Sequence, residues 1–445
     1  MAVPIVQFNS STGSETQASG AGPATAKFGT NASFAGSVVT LDGSPDLSGV
    51  AVDSSHVLWM LTSTGRQFFA ITAKANSGTP TAQVTVADAP AGTATGRTWA
   101  IGGKRQSIDT ANSRLLFTAD VKPGWTIDLE GTFVLTSVIT LGVSSTATGN
   151  ITVQCSVATR AIITSATSSQ ILFNTGARDG WIWRHLKFTH TGGTRGDGFV
   201  ANAVTGWWWW DDCVFDGLRK GINGDYVSNY TFVYTRVTRC EFLNCTSYAI
   251  EQAGGNFNLD SCYIHDNASH GFYGEAIAPV PFHSRTFTNC VIVNNGGRGI
   301  YWNLNNTNNI EFVIKNCIIA NNTSNGIQIV GTTAFTRILT LINSIVYGNA
   351  AQVVVNDATA IVGYNNALHT TSPRSGYTSL PGEFTLAASP FIGGSDYRLN
   401  NTAGAGALCR AAGIPGPMGS MTGFLDIGAL QTGGSSGSAT RSYGA

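Results

Sequence analysis

Three groups of side chains in this sequence have the chemistry to act on a ligand or hold one. Asp211 and Asp212 are adjacent carboxylates that directly follow Trp207-Trp208-Trp209-Trp210, and paired carboxylates are what acid–base cleavage of a glycosidic bond requires. His270 sits in Ser269-His270-Gly271, and an imidazole carries protons near neutral pH. The tryptophans offer a different chemistry. Trp207 and Trp209, placed outward on a strand, would stack on a sugar ring or anchor a protein interface. Trp208 and Trp210 would then point inward with Trp181 and Trp183. Arg195-Gly196-Asp197 spells an adhesion tripeptide, a match that chance explains best. The chain has 8 cysteines, but no Cys-x-x-Cys and no Cys/His cluster, so no metal site and no cofactor are expected.

The cysteines instead report the elements that must position these groups. Cys213, Cys240, Cys262, Cys290 and Cys317 follow one another at intervals of 27, 22, 28 and 27 residues, and Ser344 takes the same slot another 27 residues on. A fixed period of this kind is the signature of a repeat architecture. Three residues before the slot stand Trp210, Val237, Leu259, Phe287, Ile314 and Leu341; two residues after it stand Phe215, Phe242, Ile264, Ile292, Ile319 and Val346. Both columns are apolar in every copy, which marks short strands with one buried face. Thiol and hydroxyl exchanging in the slot reads as a small packed side chain, with the cysteines reduced. Asn244, Asp266, Asn294 and Asn321, four residues after the slot, suggest a stacked amide ladder. Gly271, Gly299 and Gly326 suggest a bend at positive φ, with His270 as an exposed turn residue just before it. Short strands with no helical period describe one coil of a β-solenoid, whose coils bury a shared core only by stacking.

With these columns the chain resembles the right-handed parallel β-helix proteins, the pectate-lyase-like solenoids with Asn ladders, over about residues 108–430. The chain as a whole reads as all-β: an extended N-terminal arm rich in Ser, Thr, Ala and Gly (1–35), a small β-barrel or sandwich for docking (36–105), the parallel β-helix that the resemblance implies (106–385), a closing region (386–432) and a flexible low-complexity tail (433–445). The barrel is read from five short β runs between Val38 and Ile101 punctuated by turn residues. The fold does not settle activity, because the same coil serves lyases, hydrolases, phage tailspikes and inert stalks. A polygalacturonase-like hydrolase would use paired aspartates and the Ser-His-Gly triplet, but its Asn-Thr-Asp and Arg-Ile-Lys motifs are absent here. A pectate-lyase-like calcium site needs clustered aspartates on neighbouring coils, and Asp211 and Asp260 lie two coils apart. Asp211, Asp212 and His270 therefore remain thin catalytic candidates for a polysaccharide hydrolase or lyase, and a non-catalytic reading is favoured.

Composition narrows the partners. Charged residues make up 11% of the chain and cancel to a formal charge of zero, so the basic surplus of a nucleic-acid binder is missing. No run approaches the ~18 apolar residues of a membrane span, and the first residues carry no export signal. The expectation is a bacteriophage virion protein made in the host cytoplasm: a rigid β-helical projection, as capsid decoration or tail spike. It would be a homotrimer, docked to other virion proteins through residues 1–105 and adhering to host glycans. A tailspike depolymerase and a bacterial surface adhesin are the alternatives, the adhesin being disfavoured by the absent signal.

Overall fold

The computed structural model describes residues 5–9, 27–50, 52, 57–62, 65–90, 95–101, 108–109, 116–144, 149–201, 205–224, 232–253, 255–275, 283–304, 310–331, 337–355, 360–369, 374–410, 412 and 427–428. Contacts divide the chain into two compact units, Met1–Gly193 and Thr194–Ala445. The expected tail, 433–445, lies outside the described residues.

The first unit opens with a closed barrel. Its strands, in spatial order, are Lys27–Ala35, Val38–Thr40, Gln83–Val86, Gly65–Ala75, Val57–Thr62 and Arg97–Ile101, the last pairing back to the first. All these neighbours are antiparallel. Closure removes the edges that a small sheet would expose. Its core is Leu58, Met60, Ile71, Val84 and Trp99, and Asp42 accepts the Trp99 indole N–H at 2.5 Å. The expected arm thus contains a barrel strand, because Lys27–Ala35 supplies the pairing that closes the barrel. The arm also contains Ile5–Asn9, which pairs in parallel with Thr126–Glu130. Further parallel strands of this unit include Ile151–Gln154 against Trp181–Arg184 and Ala161–Ser165 against Leu186–His190. Trp181 and Trp183 fill their interior, stacked 5.8 Å apart.

The second unit is a parallel β-solenoid. Its first sheet contains Thr205–Asp211, Phe232–Thr238, Asn256–Asp260, His283–Thr288, Ile310–Lys315, Arg337–Ile342 and Ala360–Tyr364, one strand per coil over seven coils. After the cysteine slot each coil adds a strand to a second sheet, from Val214–Asp216 through Tyr263–His265 and Val291–Val293 to Phe384–Leu386. A third sheet includes Ile222–Gly224, Ile250–Ala253, Phe272–Glu275, Ile300–Leu304, Ile327–Gly331 and Val353–Val355. Both apolar columns and the slot cysteines lie inside, at 0–1% exposure. The register joins like positions directly, Val237 to Leu259 and Ile292 to Ile319. Backbone hydrogen bonding sets the ~4.8 Å spacing of the strands, at which side chains of similar size stack directly on one another.

Two turn assignments change. The amide ladder lies one residue beyond the expected column. Asn267, Asn295, Asn322 and Asn349 are buried, and each of the first three hands its side-chain N–H to the next side-chain oxygen at 2.9 Å. Asn244, Asp266, Asn294 and Asn321 are exposed and hold φ of 53–56°. Asn and Asp tolerate this left-handed conformation better than other side chains, so the corner selects them for backbone shape and turns the next residue inward. The glycine column also has another cause. Gly271, Gly299 and Gly326 are not at positive φ; a Cβ on Gly299 would sit 2.7 Å from the Gly326 carbonyl oxygen and 2.9 Å from Asn322 Nδ2. Close approach of the next coil, not left-handed backbone, excludes a side chain there.

The closing region folds back on this unit. A hairpin, Phe391–Gly393 with Asp396–Leu399, and the short helix Gly406–Cys409 place Phe391, Tyr397, Leu399 and Cys409 against Val291, Ile318 and Ile345. The Tyr397 hydroxyl donates to Asn294 Oδ1 at 2.8 Å. The second sheet is therefore apolar on both faces, which explains Val291-Ile292-Val293.

Candidate functional site

The first sheet of the solenoid unit carries an open cleft on its outward face. In strand Thr205–Asp211, Trp208 and Trp210 are fully buried and stack 5.6 Å apart. Alternation sends their neighbours outward, where Trp207 is 37% exposed. Trp207 lies opposite Tyr234 of the next coil, and Trp209 opposite Arg236; one coil further these columns continue as Asn256 and Asn258. Trp207 meets Trp209 edge to face at 6.2 Å. Trp209 is held from both sides: its indole N–H donates to Thr238 Oγ1 at 2.8 Å, and the Arg236 guanidinium lies 4.8 Å over its ring. Tyr234 stands 54% exposed. A cleft of about 390 Å³ opens here, lined by Trp207, Tyr234, Arg236, Asn256, Asn258 and Thr286 among others. Aromatic faces suit the C–H faces of a sugar, and amide, hydroxyl and guanidinium groups suit its oxygens. Tyr234 and Arg236 were legible as the residues 27 positions after Trp207 and Trp209.

Asp211 and Asp212 are not in that lining. They lie at the corner between the first and second sheets. Asp211 is buried; its Oδ1 accepts the Thr238 hydroxyl at 2.7 Å and its Oδ2 accepts Arg239 Nη2 at 2.6 Å, so both its oxygens already serve the stacking of adjacent coils. Asp212 adopts φ 56° at the turn. The Asp197 carboxylate is likewise buried, held by Arg219 at 2.7 Å and by Asn223 at 2.7 Å, which hides the adhesion tripeptide's acid.

His270 departs from its expected exposed position. It is half-buried in the turn two residues before strand Phe272–Glu275 of the third sheet, parallel to the Tyr248 ring at 5.1 Å and edge-on to Tyr301 at 5.3 Å. Tyr273 stacks on Tyr248 at 4.8 Å. Arg298 lies 4.1 Å over the Tyr301 ring and donates from Nε to the Gln328 side chain. Lys220, 5.6 Å from the Tyr248 ring, is ion-paired with Glu251. Burial, and then the Arg298 charge, bring the His270 pKa down to about 4, so the ring is neutral at physiological pH. Burial lifts the Tyr273 hydroxyl to about 12. Tyr273 and Tyr301 share one register position and the same offset of 11 residues from Cys262 and Cys290. The repeat therefore carried a signal for this cluster that one-motif reading missed.

All eight cysteines are free and buried. Burial pushes the thiols of Cys240, Cys262 and Cys317 up and that of Cys245 to about 12, which suppresses the thiolate needed for reactivity. Among the described residues no group of three or more His, Cys, Asp or Glu side chains is placed to hold a metal. Among those residues no helix is long and apolar enough to cross a membrane.

Comparison with known proteins agrees with this architecture. Residues 210–368 match the family model described as the right handed beta helix region, in keeping with the parallel β-solenoid of the second unit. It is similar to the crystal structure of pectate lyase Pel9A, with a TM-score of 0.53 at 18% identity over 70% of this chain and 89% of that one. It also matches tailspike protein gp49 from Acinetobacter baumannii bacteriophage Fri1, a capsular polysaccharide depolymerase, with a TM-score of 0.39 at 11% identity over 81% of this chain and 71% of that one. The A-module of Azotobacter vinelandii mannuronan C-5 epimerase AlgE6 matches with a TM-score of 0.36 at 11% identity, over 62% and 96%. No curated protein sequence matches the chain.

Proposed function

We propose that this chain is a polysaccharide-binding β-helix of a bacteriophage virion that holds host-surface glycan without cleaving it. The observation that carries the proposal is the cleft at Trp207 and Tyr234, where exposed rings stand beside Arg236, Asn256 and Asn258. A rigid solenoid presents these groups at fixed strand spacing, so little side-chain order is lost on binding. Of the two candidate carboxylates, Asp211 is engaged with Arg239 and Thr238, and Asp212 sits at the left-handed turn, outside the lining of the cleft. In this reading the barrel of the first unit is the docking element, and three copies assemble on the particle.

The test is binding of the full chain to purified bacterial capsular and lipopolysaccharide glycans, read by calorimetry alongside release of reducing ends. Binding without cleavage is expected, and Trp207→Ala or Tyr234→Ala should each weaken it by about 1–3 kcal/mol, the usual worth of an aromatic anchor. Glycan cleavage lost in Asp211→Asn or Asp212→Asn would establish the depolymerase reading instead. Mass determination in solution and labelling of purified particles test the trimer and the virion placement.

A further inference from the structure

We propose that the corner leading into the third sheet holds an oxyanion site, built by His270 and Arg298, for a carboxylate, sulfate or phosphate group. It is separate from the tryptophan cleft and does not depend on the function assigned to that cleft.

The argument starts from donors and lone pairs. A neutral imidazole has one ring nitrogen that accepts and one that donates. Here both nitrogens face donors of the same residue: the Arg298 backbone N–H lies 3.0 Å from His270 Nδ1, and Arg298 Nη1 lies 3.2 Å from His270 Nε2. Guanidinium has no acceptor, so no neutral tautomer satisfies both contacts. The backbone N–H belongs to a corner fixed by the Gly297-to-Ser269 and Gly299-to-Asn325 hydrogen bonds. Nδ1 therefore accepts, and the ring proton sits on Nε2 beside Nη1. Two donors side by side, on a ring that burial and Arg298 keep from protonating, form a fork that one oxyanion can satisfy.

The surroundings fit that role. Among the described residues no carboxylate pairs with Arg298, whose plane is fixed by the Tyr301 face and the Gln328 side chain. Lys220 adds a second cation near Tyr248, although Glu251 neutralises it. Gly297 keeps the ring accessible to its neighbours, because a Cβ there would lie 2.3 Å from His270 Nδ1. Tyr248 and Tyr301 wall the imidazole, so whatever carries the oxyanion meets aromatic faces beside it.

The experiment is titration of the full chain with sodium sulfate, sodium phosphate and sodium D-glucuronate, at constant ionic strength held with chloride and with D-glucose as the neutral control. The readout is the C2–H resonance of His270, assigned by its loss in His270→Asn. Saturable shifts with at least one oxyanion, none with glucose, and a rise of the His270 pKa in its presence are expected. Arg298→Gln should remove the response. Arg298→Lys, which keeps the charge and the fold but loses the fork, should weaken it by about tenfold. Trp207→Ala should leave it unchanged. No saturable shift with any oxyanion, or an undiminished response in Arg298→Lys, overturns the proposal. Sulfate or phosphate acting alone identifies a tetrahedral anion as the ligand class, and glucuronate acting alone a sugar carboxylate.

Discussion

Replacing Asn295 by alanine tests the buried ladder against the exposed turn beside it. The Asn295 side chain donates to the Ile264 carbonyl at 3.3 Å and to Asn322 Oδ1 at 2.9 Å. Its oxygen accepts the Asn267 backbone N–H at 3.3 Å and the Asn267 Nδ2 at 2.9 Å. Truncation removes all four bonds. Asn267 Nδ2 keeps the Phe242 and His265 carbonyls, and Asn322 Oδ1 keeps the Asn295 backbone N–H. The Asn267 backbone N–H loses its described partner in a site closed to water. One orphaned donor costs about 1–3 kcal/mol, and the three remaining bonds about 1 kcal/mol each net, so the loss should reach about 4–6 kcal/mol. Asn244→Ala is the matched control. That side chain is exposed at φ 54° and, among the described residues, bonds Asp216 alone, at 3.0 Å, so its cost is mainly the left-handed strain of about 1–2 kcal/mol. Asn244→Gly should recover most of that. Equilibrium urea unfolding of the three variants measures each value. If Asn295→Ala and Asn244→Ala lie within about 1 kcal/mol of each other, the assignment of ladder and turn is wrong.

Two further outcomes follow from the same geometry. Gly299→Ala should destabilise by about 1–3 kcal/mol or more through overpacking, since its Cβ would meet the Gly326 carbonyl oxygen at 2.7 Å and Ile319 Cγ2 at 2.8 Å; Gly193→Ala, with nothing within 4 Å, should be close to neutral in the same thermal melt. Acid should expose the opposite settings of two histidines. The His270 pKa falls from 6.5 to about 4 on folding, so the unfolded chain binds its proton first and stability declines as pH falls below 6.5. From pH 7 to 5 this removes about 1–2 kcal/mol after allowance for partial solvent screening. His265 runs the other way. Burial works to lower its pKa, but the hydrogen bonds to Glu241 and Asp266 outweigh burial and raise it, so its contribution is present in acid and lost as pH rises through that raised pKa. Unfolding free energies between pH 7 and 5 should therefore fall less steeply in His270→Asn than in the parent, and an unchanged slope would refute the assignment.

The coil was legible because its cause is local and repeated. A strand in a stack must match the strand above it, so Phe215, Phe242, Ile264 and Ile292 stand out along the chain as one apolar column. The same periodicity marks both faces of a strand, which placed Trp208 inward and Trp207 outward. It could not resolve a corner. Asn294 and Asn295 are adjacent amides, and which of them turns inward depends on a single left-handed residue. Glycine at positions 271, 299 and 326 looked like a bend, because a sequence shows the missing side chain but not the neighbouring coil that forbids it.

Composition and period determined that this chain is a stacked β-solenoid with a reduced, buried cysteine column, since those features repeat along one dimension. The tertiary structure alone decided what meets across coils and between distant segments: Arg239 closing on Asp211, the Tyr397 hairpin covering the second sheet, and Arg298 facing both nitrogens of His270. Such contacts depend on where each corner directs a side chain, and a spacing along the chain records only that the corner exists.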